Sequence, residues 1–156
     1  MSLYFSAQTR LTSRPNNWLH FKWGYPMSVQ PLSLLLVDDF VPFRTAVREL
    51  CEKYYFLKVV GEAGDGHAAV EMAFQLSPHV ILMDVKMPGL NGIEATQRIK
   101  TALPHIHVIG MSLQGDTRTR EEMKAAGCSD FMDKELAPEL PCILAKITGT
   151  ELREAA

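Results

Sequence analysis

Apolar and polar positions along the chain fall into blocks that predict strands and helices in alternation. Short runs such as those at 34–37 and 80–83 are wholly apolar and end at a polar residue, which is typical of strands buried on both faces of a parallel sheet. The stretches between these runs carry apolar residues at helical spacing. The predicted strands cover residues 34–37, 57–60, 80–83, 106–111 and 129–133. The predicted helices cover residues 42–54, 64–76, 92–101, 116–127 and 136–147.

Local signals support these helices. Pro42 suits a first helical turn, Asp116 or Thr117 suits the cap of the fourth helix, and Gly127 suits its end. Pro138 and Pro141 restrict the start of the last helix. Five strands that alternate with five helices predict an α/β fold with a doubly wound, five-stranded parallel sheet. Right-handed crossovers make such a sheet doubly wound, and we expect the flavodoxin-like strand order 2-1-3-4-5.

Composition narrows the class of protein. The chain has 156 residues, 47% of them hydrophobic, with 16 basic and 18 acidic residues and a net charge of −2. This is the size of one domain, and the charge argues against direct nucleic-acid binding. No apolar run is long enough for a transmembrane helix. The three cysteines show no metal-binding spacing and indicate a reducing, cytoplasmic location.

The two ends of the chain differ from the middle. Residues 1–32 contain three basic residues and no acid, together with both tryptophans, and show neither a strand nor a helix period. They also lack a continuous apolar core of signal-peptide length. We interpret residues 1–32 as an N-terminal leader, residues 33–148 as the domain and residues 149–156 as a tail.

Polar side chains follow four of the predicted strands at the point where each strand ends. Asp38 and Asp39 follow the first strand, Asp84 the third, Ser112 the fourth and Lys134 the fifth. The carboxyl ends of parallel strands meet at one edge of the sheet, where doubly wound folds bind their ligands. We therefore expect these side chains to lie together in one site.

The chemistry of this set indicates phosphoryl transfer. Three carboxylates in one site repel each other, and a hard divalent cation such as Mg²⁺ relieves that repulsion. A metal beside a lysine and a hydroxyl can hold a phosphoryl group, and a carboxylate can attack it. Asp84 is the candidate nucleophile because it stands alone on the central strand, while Asp38 and Asp39 are the candidate metal ligands.

These segments resemble the receiver (CheY-like) domain of bacterial two-component response regulators over residues 33 to about 148. The matching strings are LVDD at 36–39, LMDVKMPGLNG at 82–92, MS at 111–112 and FMDK at 131–134, in the order of that family. The resemblance implies a (βα)5 fold. It also implies that the chain is a phosphoacceptor rather than an enzyme acting on other substrates, although it promotes its own phosphorylation and dephosphorylation.

The resemblance also implies a role for each matching residue. Asp84 accepts a phosphoryl group from a sensor histidine kinase or a phosphotransfer protein. Asp38, Asp39, Asp84 and the backbone carbonyl of Lys86 bind Mg²⁺, and Lys134 pairs with the phosphoryl oxygens. Ser112 turns to the phosphate and Phe131 turns inward behind it, which signals to a downstream protein through the last strand–helix face, where a homodimer can also form.

Other interpretations stay open from the sequence. Many receivers have a proline after this lysine, joined to it by a cis peptide bond. Here Glu135 takes that place, and a cis bond before a residue other than proline costs about 2.5–4 kcal/mol, so Glu135 bears directly on the geometry of Lys134. A leucine after the serine (Leu113) and an acid after the lysine (Glu135) resemble the pattern of receivers that are fused to a helix-turn-helix DNA-binding domain. One alternative is therefore that the chain is the front part of such a regulator. A receiver-like interaction module that takes no phosphate is another alternative. An aspartate-nucleophile phosphatase is less favoured, because its acidic motifs occur in a different order.

Overall fold

The computed structural model describes residues 30–113 and 115–148. Five parallel strands form one sheet in the order β2-β1-β3-β4-β5, which confirms the predicted fold. The strands are β1 (Leu32–Val37), β2 (Leu57–Ala63), β3 (Val80–Asp84), β4 (His107–Ser112) and β5 (Asp130–Asp133). The helices are α1 (Val41–Cys51), α2 (Gly66–Leu76), α3 (Gly92–Ala102), α4 (Thr117–Ala125) and α5 (Leu140–Thr148). The predicted leader up to residue 29 and the predicted tail lie outside the described residues.

The all-apolar central strands are explained by helices on both faces of the sheet. In β1, Leu34 and Leu36 belong to the core beneath α1 and α5, whereas Leu35 and Val37 belong to the core beneath α2 and α3. These four side chains are at most 2% exposed. Between its two ends, a strand covered on both faces has no solvent-exposed position for a polar residue.

The second strand is longer than predicted. It continues through Gly61 to Ala63, whereas the sequence pattern predicts an end at residue 60. A Cβ atom on Gly61 would lie 2.5 Å from Cε of Met72 and 2.8 Å from Cδ1 of Leu76, both on α2. The glycine therefore allows α2 to pack closely on β2, and it does not terminate the strand.

Side-chain caps define where three helices begin. Asp65, Asn91 and Asp116 each accept a hydrogen bond from the backbone N–H three residues further on, at the start of α2, α3 and α4. Asp116 is thus one of the two predicted caps. Helix α4 ends at Ala125, two residues before the predicted end, and Gly127 follows it with a φ of +95°. That left-handed conformation favours glycine.

The first and last helices are shorter than their apolar patterns predict. After Cys51 the chain tightens into turns, and the Tyr54 ring packs edge-on against Phe56 with centroids 5.9 Å apart. The predicted last helix is divided into a 3-10 helix over Lys134–Glu139 and α5. Pro138 has no N–H for an α-helical bond, and Leu136, assigned to the buried stripe by the sequence pattern, is 43% exposed.

Candidate functional site

The predicted polar residues do meet at the carboxyl edge of the sheet. Asp38 directly follows β1, Asp84 is the last residue of β3, Ser112 is the last residue of β4, and Lys134 directly follows β5. These four residues are buried. Asp39, next to Asp38, is exposed, so the site opens to solvent on that side.

Lys134 joins the first, third and fifth strands electrostatically. Its Nζ atom lies 2.6 Å from Oδ2 of Asp38 and 3.0 Å from Oδ2 of Asp84. The side chains of Lys134, Asp38 and Asp84 are only 8%, 1% and 5% exposed. Lys134 Nζ also lies 5.0 Å from the centre of the Phe43 ring on α1, within the range of a cation–π contact.

The position of Lys134 does not depend on a proline after it. No peptide bond within the described residues is cis, and this includes the bond between Lys134 and Glu135. The lysine nevertheless reaches both carboxylates. The 3-10 helix that begins at Lys134 takes the chain away from the sheet towards α5.

The charges of the site do not balance. Burial raises the pKa of Asp84, and so does the negative charge of Asp38, while the hydrogen bond and the charge of Lys134 and the Lys86 N–H act in the opposite direction. Burial on its own lowers the pKa of Lys134, but the contacts and charges of Asp38 and Asp84 raise it overall. The lysine is therefore charged at neutral pH. Three carboxylates face one buried ammonium group, and even with the exposed Lys86 at the side of the site an excess of negative charge remains.

This acidic cluster fits a small divalent cation. One carboxylate oxygen from each of Asp38, Asp39 and Asp84 lies within 4.8 Å of the other two. Oδ2 of Asp38 is buried and forms an ion pair with Lys134, yet it has no hydrogen bond of regular geometry. Oxygen donors that can also leave room for water suit Mg²⁺ better than zinc. The charge excess favours the same class of ion.

The loop after β3 forms one side of the site. The Lys86 N–H donates a hydrogen bond to Oδ1 of Asp84 over 3.3 Å. A Cβ atom on Gly92 would lie 2.0 Å from the backbone oxygen of Asp84, so this position needs glycine to let α3 approach the strand end. The predicted metal contact of the Lys86 carbonyl stays a prediction.

A cleft lies above the buried ion pairs. Its volume is about 460 Å³, and its walls include Asp39, Lys86 and Ser112 together with three apolar side chains, Phe40, Phe43 and Leu113. Phe40 and Leu113 are 62% and 69% exposed. The sequence pattern indicated the polar floor of this cleft but not its apolar mouth.

Phe131 lies in a slot made by two glycines. A Cβ atom on Gly110 would lie 2.9 Å from the Phe131 ring, and one on Gly115 would lie 2.5 Å from it. The guanidinium of Arg120 lies 4.6 Å from the ring centre. Arg120 also donates to the Gly115 carbonyl (3.1 Å) and pairs with Asp133 (2.9 Å), so it links the loop after β4 to β5. The predicted movement of Phe131 stays a prediction.

Two arginines of the site escaped the sequence analysis. Arg120 covers Phe131 as described, and Arg44 of α1 donates a hydrogen bond to the backbone carbonyl of Asp38. Nothing in the local pattern distinguishes them from arginines on an exposed helix face. Their partners lie on other elements, which a periodicity along one helix does not indicate.

The helices of the described residues do not meet the requirements of a membrane span. None of them combines the length with the hydrophobicity that crossing a bilayer requires.

Comparisons with known proteins agree with this geometry. The sequence model of the protein family described as the response regulator receiver domain matches residues 34–145 of this chain. The chain is 37% identical over 116 residues to a protein-glutamate methylesterase/protein-glutamine glutaminase 4 from Myxococcus xanthus, covering 74% of this chain and 33% of that protein. It is 34% identical over 103 residues to the response regulator GacA of Pseudomonas viridiflava, covering 66% of this chain and 48% of that protein.

Solved structures agree as well. The response regulator domain of Thermotoga maritima CheB has a TM-score of 0.71 and 32% identity, and the match covers 79% of this chain and all of that one. A two-component response regulator of the LuxR family from Aurantimonas sp. has a TM-score of 0.70 and 27% identity, covering 78% and 89%. The chain spans between about a third and a half of the curated relatives described above.

Proposed function

This chain belongs to the response regulator receiver domain family, and on that premise we propose that Asp84 is its phosphoacceptor and Asp38, Asp39 and Asp84 its Mg²⁺ ligands. The Lys86 carbonyl completes the protein ligands. The observation that carries the proposal is the contact of one buried lysine with two buried carboxylates, beside an exposed third carboxylate. Bound Mg²⁺ supplies positive charge that neutralises phosphoryl oxygens.

The reaction is a transfer between two covalent linkages. An oxygen of the Asp84 carboxylate forms a bond to phosphorus as the phosphorus–nitrogen bond of a phosphohistidine breaks. The electron pair of that bond stays on the imidazole nitrogen, which takes up a proton. Lys134, held 3.0 Å from Asp84 Oδ2, offers its ammonium group to the incoming phosphoryl oxygens. Asp84 reacts as the carboxylate, a form that burial disfavours and the charge of Lys134 favours.

The signal leaves through the loop after β4. The hydroxyl of Ser112, at the end of β4, turns to the bound phosphoryl group, and the Phe131 ring moves inward in response. Arg120 contacts both this loop and Phe131, so a change at Ser112 reaches the surface of α4 and β5. The new contacts shift a population between two packings of the same elements.

The partners follow from this chemistry. The phosphodonor is a sensor histidine kinase or a phosphotransfer protein. The phosphorylated domain then binds its target, which is a downstream protein or a second copy of this chain bound through the β5–α5 face. We propose that the domain acts in the cytoplasm, does not bind nucleic acid directly, and catalyses only its own phosphorylation and dephosphorylation.

Trapping of the phosphorylated state tests this proposal. The protein is incubated with Mg²⁺ and a small acyl phosphate, and the adduct is measured by intact mass for wild type, Asp84→Asn and Asp130→Asn. Asp130 is an exposed aspartate on β5 and serves as the matched control. We expect an alkali-labile adduct on wild type and Asp130→Asn only. Labelling of Asp84→Asn would refute the assignment, and sustained hydrolysis of phosphate monoesters would indicate a phosphatase instead.

A further inference from the structure

Four polar contacts hold Asp38 in place. Its N–H donates to the Ala63 carbonyl of β2 (3.0 Å), and its Oδ1 accepts from the Phe40 N–H (2.9 Å). Its Oδ2 pairs with Lys134 at 2.6 Å, and its backbone carbonyl accepts a hydrogen bond from Nη1 of Arg44. The last of these contacts involves a charged donor, and such bonds are roughly twice as strong as neutral ones.

Arg44 is itself fixed in place. Its Nε lies 3.2 Å from Oε2 of Glu62 on β2, and its side chain is only 15% exposed. A second arginine of α1, Arg48, pairs with the other oxygen of Glu62 at 3.3 Å and is 42% exposed. The two arginines share one glutamate, and Arg44 also donates a hydrogen bond to the Asp38 carbonyl.

We propose that Arg44 is a positioning residue for the metal-binding pair Asp38 and Asp39, an inference that rests on the proposed function. The Asp38 carbonyl belongs to the planar peptide unit that joins Asp38 to Asp39. A donor that fixes this carbonyl fixes the plane, and with it the directions in which the two consecutive carboxylates leave the backbone. Glu62 holds the guanidinium, and through Arg44 it anchors this plane to β2.

Positioning and simple electrostatics predict opposite effects on metal binding. A guanidinium near the acidic cluster repels a divalent cation, so removal of its charge alone tightens metal binding. Loss of a group that orients the ligands weakens binding, by roughly 10–100-fold for many supporting residues of metal sites. The direction of the change therefore separates the two explanations.

The experiment compares Arg44→Gln with Arg48→Gln. Both variants lose one positive charge and one partner of Glu62, and by our assignment only the first releases the Asp38 carbonyl. Mg²⁺ is titrated into the full chain by calorimetry, without phosphodonor. We expect roughly 10–100-fold weaker binding for Arg44→Gln, and binding close to that of wild type for Arg48→Gln. In metal-free protein, hydrogen exchange of the Phe40 amide should accelerate only in Arg44→Gln.

A second substitution covers the case in which Arg44→Gln does not fold. Arg44→Lys keeps the charge but lacks the fork that bonds Glu62 and the Asp38 carbonyl together, and it should also weaken Mg²⁺ binding. Binding by the folded Arg44 variants that equals or exceeds that of Arg48→Gln would overturn the inference. Failure of wild type itself to bind Mg²⁺ would instead overturn the proposed function, so the two failures are distinguishable.

Discussion

Replacement of Lys134 by methionine tests the electrostatic core of the site. Methionine keeps the apolar stem and removes the ammonium group that lies 2.6 Å from Asp38 and 3.0 Å from Asp84. Two carboxylates that are 1% and 5% exposed then face each other without a counter-charge. Removing one partner of a buried pair costs roughly 3–5 kcal/mol. Because the cleft opens to water at Asp39, we expect the lower end of this range, about 3 kcal/mol.

The assay is chemical unfolding followed by circular dichroism, in EDTA at pH 7. The expected loss corresponds to a fall in Tm on the order of 10 °C for a domain of this size. The pKa of Lys134 is raised above 10.5, so its stabilising contribution is fully present at pH 7 and disappears only as the pH rises through the raised value. The decrease in the free energy of unfolding caused by Lys134→Met should become smaller in acid, where the carboxylates take up protons. It should also become smaller on addition of Mg²⁺.

Lys86 provides the matched control for this measurement. It lines the same cleft but is exposed, so Lys86→Met should leave the free energy of unfolding almost unchanged. If Lys134→Met were as stable as Lys86→Met in EDTA at pH 7, the buried ion pairs would not contribute to stability as argued.

Three further predictions follow from burial and close packing. Burial and the charge of Asp38 raise the pKa of Asp84 above 3.8 against the opposing effect of Lys134, so its ionisation destabilises the metal-free fold as the pH rises. Asp84→Asn should therefore be more stable than wild type in EDTA at pH 7, with a difference that shrinks towards pH 3.8; the reverse order would contradict this. Gly92→Ala should lower both the free energy of unfolding and the Mg²⁺ affinity, because the new Cβ would lie 2.0 Å from the Asp84 carbonyl oxygen. Gly64→Ala should lower neither, since its Cβ would lie 3.6 Å from Nη1 of Arg44, an ordinary van der Waals contact. Equal unfolding curves for the two variants would refute that reasoning. Burial, with a smaller effect of Glu52, raises the pKa of Cys51 to about 12, so maleimide should label the exposed Cys142 in the native protein and reach Cys51 only after denaturation; native labelling of Cys51 would contradict its burial.

The local pattern of the chain was sufficient to predict most of the fold. The runs at 34–37 and 80–83 are apolar without alternation because helices cover both faces of the sheet, and this is visible along the chain itself. Prediction of the segment ends was less accurate. Gly61 continues its strand because α2 packs directly on it, and Pro138 divides the last helix, whose apolar stripe suggests one continuous element.

The sequence alone determined which polar residues form the site. Each of the acceptor, metal-ligand and lysine candidates lies at the carboxyl end of a strand, and parallel strands bring their carboxyl ends to one edge. Only the tertiary structure decided how these residues are supported. Arg44 reaches Glu62, which lies 18 positions away along the chain, and Arg120 reaches Asp133, which lies 13 positions away. Contacts of this kind depend on how long side chains cross between packed elements, and the period of a single helix carries no information about the partner on another.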